Sequence, residues 1–250
     1  MAPRSYKTQA VVLRSFRLGE ADRVLHLYTL DRGRVGAVAK GVRKTKSRFG
    51  ARLEPLSHVD LMLHQGSGEL QTVTGVEFVR PHSAVREDYY SLSVGLIGAE
   101  AMLRLFTEQE ANERAFTALT RFLDVLDSSP HAAAARPVLD PLALSFQLKL
   151  LWLSGYLPHL TSCAECGSAD AGLVGYSAKA GGAVCGACAG RTEALGLSPD
   201  GIRGIEALLA SPLADAAGLG LGERASRDAL KVITASYEYH GGFRLRTLSA

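Results

Sequence analysis

All four cysteines of this 250-residue chain fall in one stretch, as Cys163-x-x-Cys166 and Cys185-x-x-Cys188 with eighteen residues between the pairs. No other feature restricts the fold as much, because two tight turns that each carry a pair of sulfurs must be brought face to face. The spacing suits one tetrahedral Zn2+ held by Cys163, Cys166, Cys185 and Cys188, each pair on a turn whose amides can point at the sulfurs. Disulfides are disfavoured in a cytosolic chain, a redox Cys-x-x-Cys would not come twice, and the spacing is not that of an iron-sulfur cluster. Four protein ligands leave the metal no open position for water, so the site is expected to be structural. Residues 173–184 read as a hairpin between the pairs, giving a zinc-ribbon insertion at about 161–190. Leu173, Val174, Tyr176 and Val184 are almost its only bulky apolar groups, too few to order it without the metal.

A second concentration is one of charge. Residues 34–52, RVGAVAKGVRKTKSRFGAR, start like a strand and then, past Gly41, gather Arg43, Lys44, Lys46, Arg48 and Arg52 without one acid. Such a run repels itself unless an anion arrives, and reads either as a solvated connector or as a phosphate-binding loop. Residues 1–80 carry fourteen Lys and Arg against seven Asp and Glu, a net +7; with +3 for the whole chain, the remainder is −4. The basic footprint is therefore confined to the N-terminal part, where a polyanion partner is expected. Candidate contacts are Lys40, Arg43, Lys44, Lys46 and Arg48, with Arg14, Arg17, Arg34 and Arg52 around them. Phe49, between Arg48 and Gly50, is the candidate base-stacking ring, whereas Phe16 and Tyr28 read as core.

Residues 6–16, 24–29, 34–40, 59–64 and 69–79 read as five short strands with turns at close intervals, which fits an OB-fold barrel over 1–80. Beyond Pro81 the period becomes helical over 89–106, 116–126 and 139–153, and again over 198–209 and 224–240. Pro137 suits a helix's first turn, Ser128-Ser129-Pro130 a break between helices, and Gly155 a stop; residues 212–222 read only as a loop. The expected class is α+β multidomain: the barrel at 1–80, then an α-helical domain at 81–250 interrupted by the ribbon.

Signs of catalysis are few. Residues 40–46 hold lysines without the glycine frame of a nucleotide-binding loop. His26, His58, His64, His82, His131, His159 and His240 fit no H-E-x-x-H or deaminase pattern. Glu20/Asp22 and Glu87/Asp88 read as turn and helix-start residues rather than a nuclease's metal pair. No apolar run has the ~18–20 residues of a membrane span, and the N-terminus lacks a signal-peptide pattern. A cytoplasmic, non-enzymatic protein is expected.

Three segments carry a resemblance to a known family. These are AVVLRSFRLGEADRVLHLYTLDRGRVGAVAKGVRKTKSRFGARLEPL, with Glu20, Asp22, Arg23, Lys40, Gly41, Ser47 and Arg48 the most specific positions, FQLKLLWLSGYLPHLTSCAECG, and YEYHGGFRLRTLS. Together they resemble RecO, the bacterial recombination mediator family. The resemblance implies an OB-fold, a helical domain and a four-cysteine zinc site. It also implies binding of single- and double-stranded DNA, annealing of complementary strands, and work with RecR and the single-strand-binding protein SSB so that RecA loads on gapped DNA, in the cytoplasm at the nucleoid. By the same resemblance, Lys40, Arg43, Lys44, Lys46 and Arg48 take the DNA-contact role and the four cysteines the zinc role. The acidic, apolar-tipped C-terminal tail of SSB is placed in a groove between helices near Arg104, Arg121 or Arg136. A zinc-ribbon RNA-binding or translation-associated module remains the alternative, because phosphate contacts do not tell RNA from DNA.

Overall fold

The computed structural model describes residues 4–107, 109–128 and 136–248; Ser129, Pro130 and His131, named above, lie outside them. The chain forms two compact units, 1–129 and 130–250.

In the first unit, β1 (Ser5–Leu18), β2 (Asp22–Thr29), β3 (Gly33–Ala39), β4 (His58–His64) and β5 (Gln71–Arg80) close a barrel in the order β1-β2-β3-β5-β4. Only β3 and β5 pair in parallel, through Ala37/Gln71 and Val38/Thr72; the other neighbours are antiparallel. This is the five-stranded OB order. Alternation sets the inside: Leu25 and Leu27 of β2, Val35, Ala37 and Ala39 of β3, and Val59, Leu61 and Leu63 of β4 share one core. β1 departs from strict alternation. Val12 faces Leu27 but Arg14 faces His26, so Leu13 is an extra residue, a β-bulge. Ala10 and Val12 point inward before it; after it Arg14, Phe16 and Leu18 point outward.

Helices α1 (Ser83–Glu87), α2 (Tyr89–Leu105) and α3 (Glu113–Ser128) complete this unit. Asp88 caps α2 by accepting the Ser91 amide at 2.7 Å, the helix-start role expected of it. His82 ties the barrel to α3: one ring nitrogen lies 2.9 Å from the Leu56 carbonyl and the other 2.9 Å from the Asp124 carboxylate.

The second unit is built on α4 (Pro141–Leu153), α6 (Pro199–Ala210) and α7 (Glu223–Ser236). Pro137 starts a 3-10 turn rather than α4. The helix itself begins at Pro141, where the buried Asp140 carboxylate accepts the amides of Leu142 and Ala143. Leu142, Leu144, Phe146, Leu148, Leu150 and Leu151 are all buried, as a helix apolar on every side requires. Residues Leu213–Leu219, expected as a loop, wind into a 3-10 helix. Between α4 and α6 lie β6 (Leu173–Ser177), β7 (Gly182–Cys185), α5 (Gly186–Ala189) and β8 (Leu195–Gly196), the strands forming a sheet in the order β7-β6-β8. Among the described residues no helix is long and apolar enough to cross a membrane.

Candidate metal centre and nucleic-acid surface

The two cysteine pairs meet as their spacing predicts. The Sγ atoms of Cys163, Cys166, Cys185 and Cys188 all lie within 4.8 Å of one another, and those of Cys166 and Cys185 are 3.9 Å apart. Four sulfurs about 2.3 Å from a tetrahedral metal stand about 3.8 Å from each other, so the cluster fits such an ion with little adjustment. The hairpin β6–β7 delivers Cys185, and α5 delivers Cys188. The 163–167 turn closes by a bond from the Gly167 amide to the Cys163 carbonyl at 2.8 Å. The Ala164 N–H donates to the Ala183 carbonyl and lays that turn against β7, and the Ala183 N–H donates to the His159 carbonyl, which brings the segment before the turn beside the same strand. Gly182 permits this approach, since a Cβ there would meet the His159 carbonyl oxygen at 2.2 Å.

Amides aimed at sulfur favour thiolate. The Cys166 amide, followed by that of Cys185, holds the Cys163 thiol well below the ordinary range, at about 6. Cys188 takes a hydrogen bond from the Arg191 guanidinium at 3.3 Å, which lowers its pKa. Burial and the three neighbouring thiols outweigh this and push it up to about 11. Arg191 lies outside the Cys-x-x-Cys pattern; its position three residues past Cys188 is the signal that could have found it. Around the sulfurs the apolar groups are few, Val184 inside and Ala171, Leu173, Ala180, Ala189 and Ala194 partly so. Side-chain hydrogen bonds help anchor the ribbon, among them Tyr176 to Ser236 of α7 at 2.7 Å and Ser177 to the Thr192 carbonyl at 2.9 Å.

In the first unit the basic segment leaves β3 at Gly41, whose φ of +68° suits glycine. Lys40, Arg43, Lys44, Lys46 and Arg48 are exposed and, among the described residues, none has an acidic partner. The loop is shaped by its backbone: Lys44 N–H to the Gly41 carbonyl at 3.1 Å and Ser47 N–H to the Lys44 carbonyl at 2.9 Å. Its root is held to the β1–β2 turn. The Asp22 carboxylate accepts the Gly41 amide at 2.7 Å, the Arg43 amide reaches the Ala21 carbonyl at 2.9 Å, and the Arg43 guanidinium reaches the Glu20 carbonyl at 2.8 Å. Arg14 and Arg17 are exposed on β1, and Arg52 is half-buried at the base of the loop.

Two of the residues expected to touch DNA are placed otherwise. Arg34 donates to the Leu103 carbonyl near the end of α2 and so serves the packing of helix on barrel. Phe49 is only 3% exposed: with Leu53 it joins the barrel core, beneath the Arg48 guanidinium, and a buried ring has no face to offer a base. Tyr28 is buried as expected, but Phe16, expected in the core, is 41% exposed on the outer face.

A cleft of about 580 Å³ opens in the second unit. Arg136, Arg227 and Lys231 stand among Leu139, Leu195 and Leu230 in its lining.

Comparison with known proteins agrees with this architecture. Residues 1–82 match the family model "Recombination protein O N terminal", and residues 86–249 match "Recombination protein O C terminal". The DNA repair protein RecO of Rubrobacter xylanophilus is 40% identical over 228 residues, covering 89% of this chain and 88% of its own. The RecO of Anaeromyxobacter dehalogenans is 35% identical over 242 residues, covering 96% and 92%. That of a Nocardioides species is 41% identical over 187 residues, covering 73% and 74%. With both family models matched in order and together spanning nearly the whole length, the chain belongs to the RecO family of DNA repair proteins.

Proposed function

We propose that this protein is a non-catalytic recombination mediator of DNA repair. It binds single- and double-stranded DNA through the barrel, residues 1–80, and anneals complementary strands. With RecR it helps RecA load on strands coated by SSB, in the cytoplasm at the nucleoid. The observation that carries the reading is the loop holding Lys40, Arg43, Lys44, Lys46 and Arg48: five exposed cations on an OB barrel without an acidic partner among the described residues, flanked by Arg14 and Arg17. Cations left unpaired gain most from a polyanion, whose counterions they release. Zinc is the ion assigned to the four sulfurs, held by Cys163, Cys166, Cys185 and Cys188; when bound it supplies folding free energy and no reactive water.

The acidic tail of SSB, apolar at its tip, is assigned to the cleft of the second unit. Of the arginines expected near its carboxylates, Arg136 lines this cleft, whereas Arg104 and Arg121 belong to α2 and α3. Leu139, Leu195 and Leu230 would meet its apolar end, and Arg227 and Lys231, paired with Glu223 and Asp228, add positive charge beside Glu238. The deciding experiment is annealing of complementary strands, bare and SSB-coated, with and without the protein. Acceleration on coated strands is expected. A protein that binds nucleic acid but leaves coated strands unannealed would return it to a general binding module.

A further inference from the structure

The exposed face of β1, β2 and β3 has a composition that the basic loop does not explain. Arg14 pairs across the strands with His26, and His26 with Gly36; Phe16 pairs with Val24, and Val24 with Val38. Inward positions 25, 27, 35 and 37 belong to the barrel core, so this second set faces away from it, with Arg14 and Phe16 exposed, His26, Gly36 and Val38 half-buried and Val24 buried. Phe16 lies diagonally against His26, ring centroids 5.4 Å apart and inclined at 58°, and the Arg14 guanidinium stands 5.8 Å from the centre of the Phe16 ring. Gly36 leaves bare backbone beside His26, roofed on one side by Leu70, whose Cδ2 a Cβ at Gly36 would meet at 2.7 Å. Phe16 is 41% exposed, so its ring is open to a ligand.

The bulge at Leu13 is the structural reason for that exposure. Strict alternation from Val12 would send Arg14 and Phe16 into the barrel, and the extra residue turns both outward. Bulges re-aim side chains in this way, and here the side chains re-aimed are an aromatic ring and a guanidinium. A face that places a flat ring next to a cation, beside a loop of unpaired cations, complements a single nucleic-acid strand, whose bases are flat and whose phosphates are anionic. A duplex keeps its bases stacked inside and offers this ring nothing.

We propose that Phe16, with His26 beside it, is a nucleobase-stacking site for single-stranded DNA on the outer face of β1–β3, and that Arg14 holds the adjoining phosphate. The site rests on the DNA-binding reading above and gives it a single-strand component distinct from phosphate attraction. It also supplies the stacking ring that the burial of Phe49 removes.

The test compares full-length Phe16→Ala, Phe16→Leu and Phe16→Trp with the parent chain. Each is titrated by fluorescence anisotropy against an oligothymidylate strand and an abasic strand of equal length, at several salt concentrations. Alanine and leucine are expected to weaken oligothymidylate binding by about 5- to 150-fold, to leave the abasic strand unaffected and to keep the salt slope, while tryptophan retains the affinity. Leucine keeps an apolar group over the sheet without an aromatic face, so it decides the matter if alanine lowers the melting temperature. Parental oligothymidylate affinity in Phe16→Leu, or equal losses on both strands, overturns the stacking site and leaves the phosphate-binding loop standing. Failure of the parent chain to bind either strand would instead overturn the DNA-binding reading.

Discussion

The Oδ1 atom of Asp22, at the start of β2, accepts the backbone N–H of Gly41 at 2.7 Å, the point where the basic loop leaves β3. The two residues are 19 positions apart in the chain, and the bond joins the β1–β2 turn to the root of the loop. A loop rich in cations is costly to order, because its charges repel; a pinned root reduces what DNA must order on binding. Asp22→Ala removes both the acceptor and a negative charge, whereas Asp22→Asn removes the charge and keeps an acceptor. Alanine is expected to bind DNA several-fold more weakly than asparagine, in keeping with about 1 kcal/mol for the hydrogen bond. Equal affinities of the two variants in anisotropy titrations would show that the bond does not organise the loop.

The cations themselves are predicted to act through number rather than position. Changing Arg43, Lys44, Lys46 and Arg48 together to alanine is expected to flatten the plot of log affinity against log salt by roughly 0.7 for each phosphate no longer neutralised on single strands. These side chains are exposed, so the melting temperature should barely move. Intact affinity with an unchanged slope would reduce the loop to a connector.

Much of this arrangement is legible in the residue pattern alone. The five strands follow from β-branched and apolar alternation, the ribbon from two Cys-x-x-Cys pairs, and the basic loop from cations lacking acids. What escapes is set by geometry that no local pattern encodes. One extra residue at Leu13 reverses the facing of Phe16, and the 3-10 turn at Gly50–Leu53 follows Phe49 with Leu53, both lodged in the core. Arg34 finds its acceptor in the helix at Leu103, 69 residues away, which charge counting cannot foresee.

His58 predicts a dependence of stability on pH in the first unit. It is 8% exposed, with Nε2 3.1 Å from Oε1 of Gln9 and its ring edge-on to Phe116. Burial, reinforced by the nearby His82, lowers its pKa to about 4. The unfolded chain takes up this proton near pH 6.5 and the folded one only near 4, so protonation favours unfolding across that window. Stability should fall on acidification from about pH 6.5 to 4, by on the order of 2–3 kcal/mol. Denaturant titrations at both ends of the window check this: in His58→Gln the loss should shrink, and a loss as large as in the parent would assign it to other groups.

The ribbon should stand or fall with its metal. Cys163, Cys185 and Cys188 are buried with Val184 as the sole bulky apolar group inside the cluster, so little hydrophobic burial remains if the four sulfurs part. Structural zinc is worth ~10–16 kcal/mol in apparent terms near neutral pH, and it requires deprotonated thiols. Chelation, acidification, Cys163→Ser or Cys185→Ser is therefore expected to unfold residues 161–190. The loss should travel to α7 through Tyr176, whose hydroxyl bond to Ser236 at 2.7 Å fastens the ribbon there. Tyr176→Phe separates the two effects: about one zinc per chain should be retained, while the hydrogen-exchange protection of α7 decreases. The barrel has its own core, so the salt slope for DNA should survive chelation and both serine variants. Purified chain with four free thiols, no metal and an unchanged melting temperature on chelation would refute the structural role.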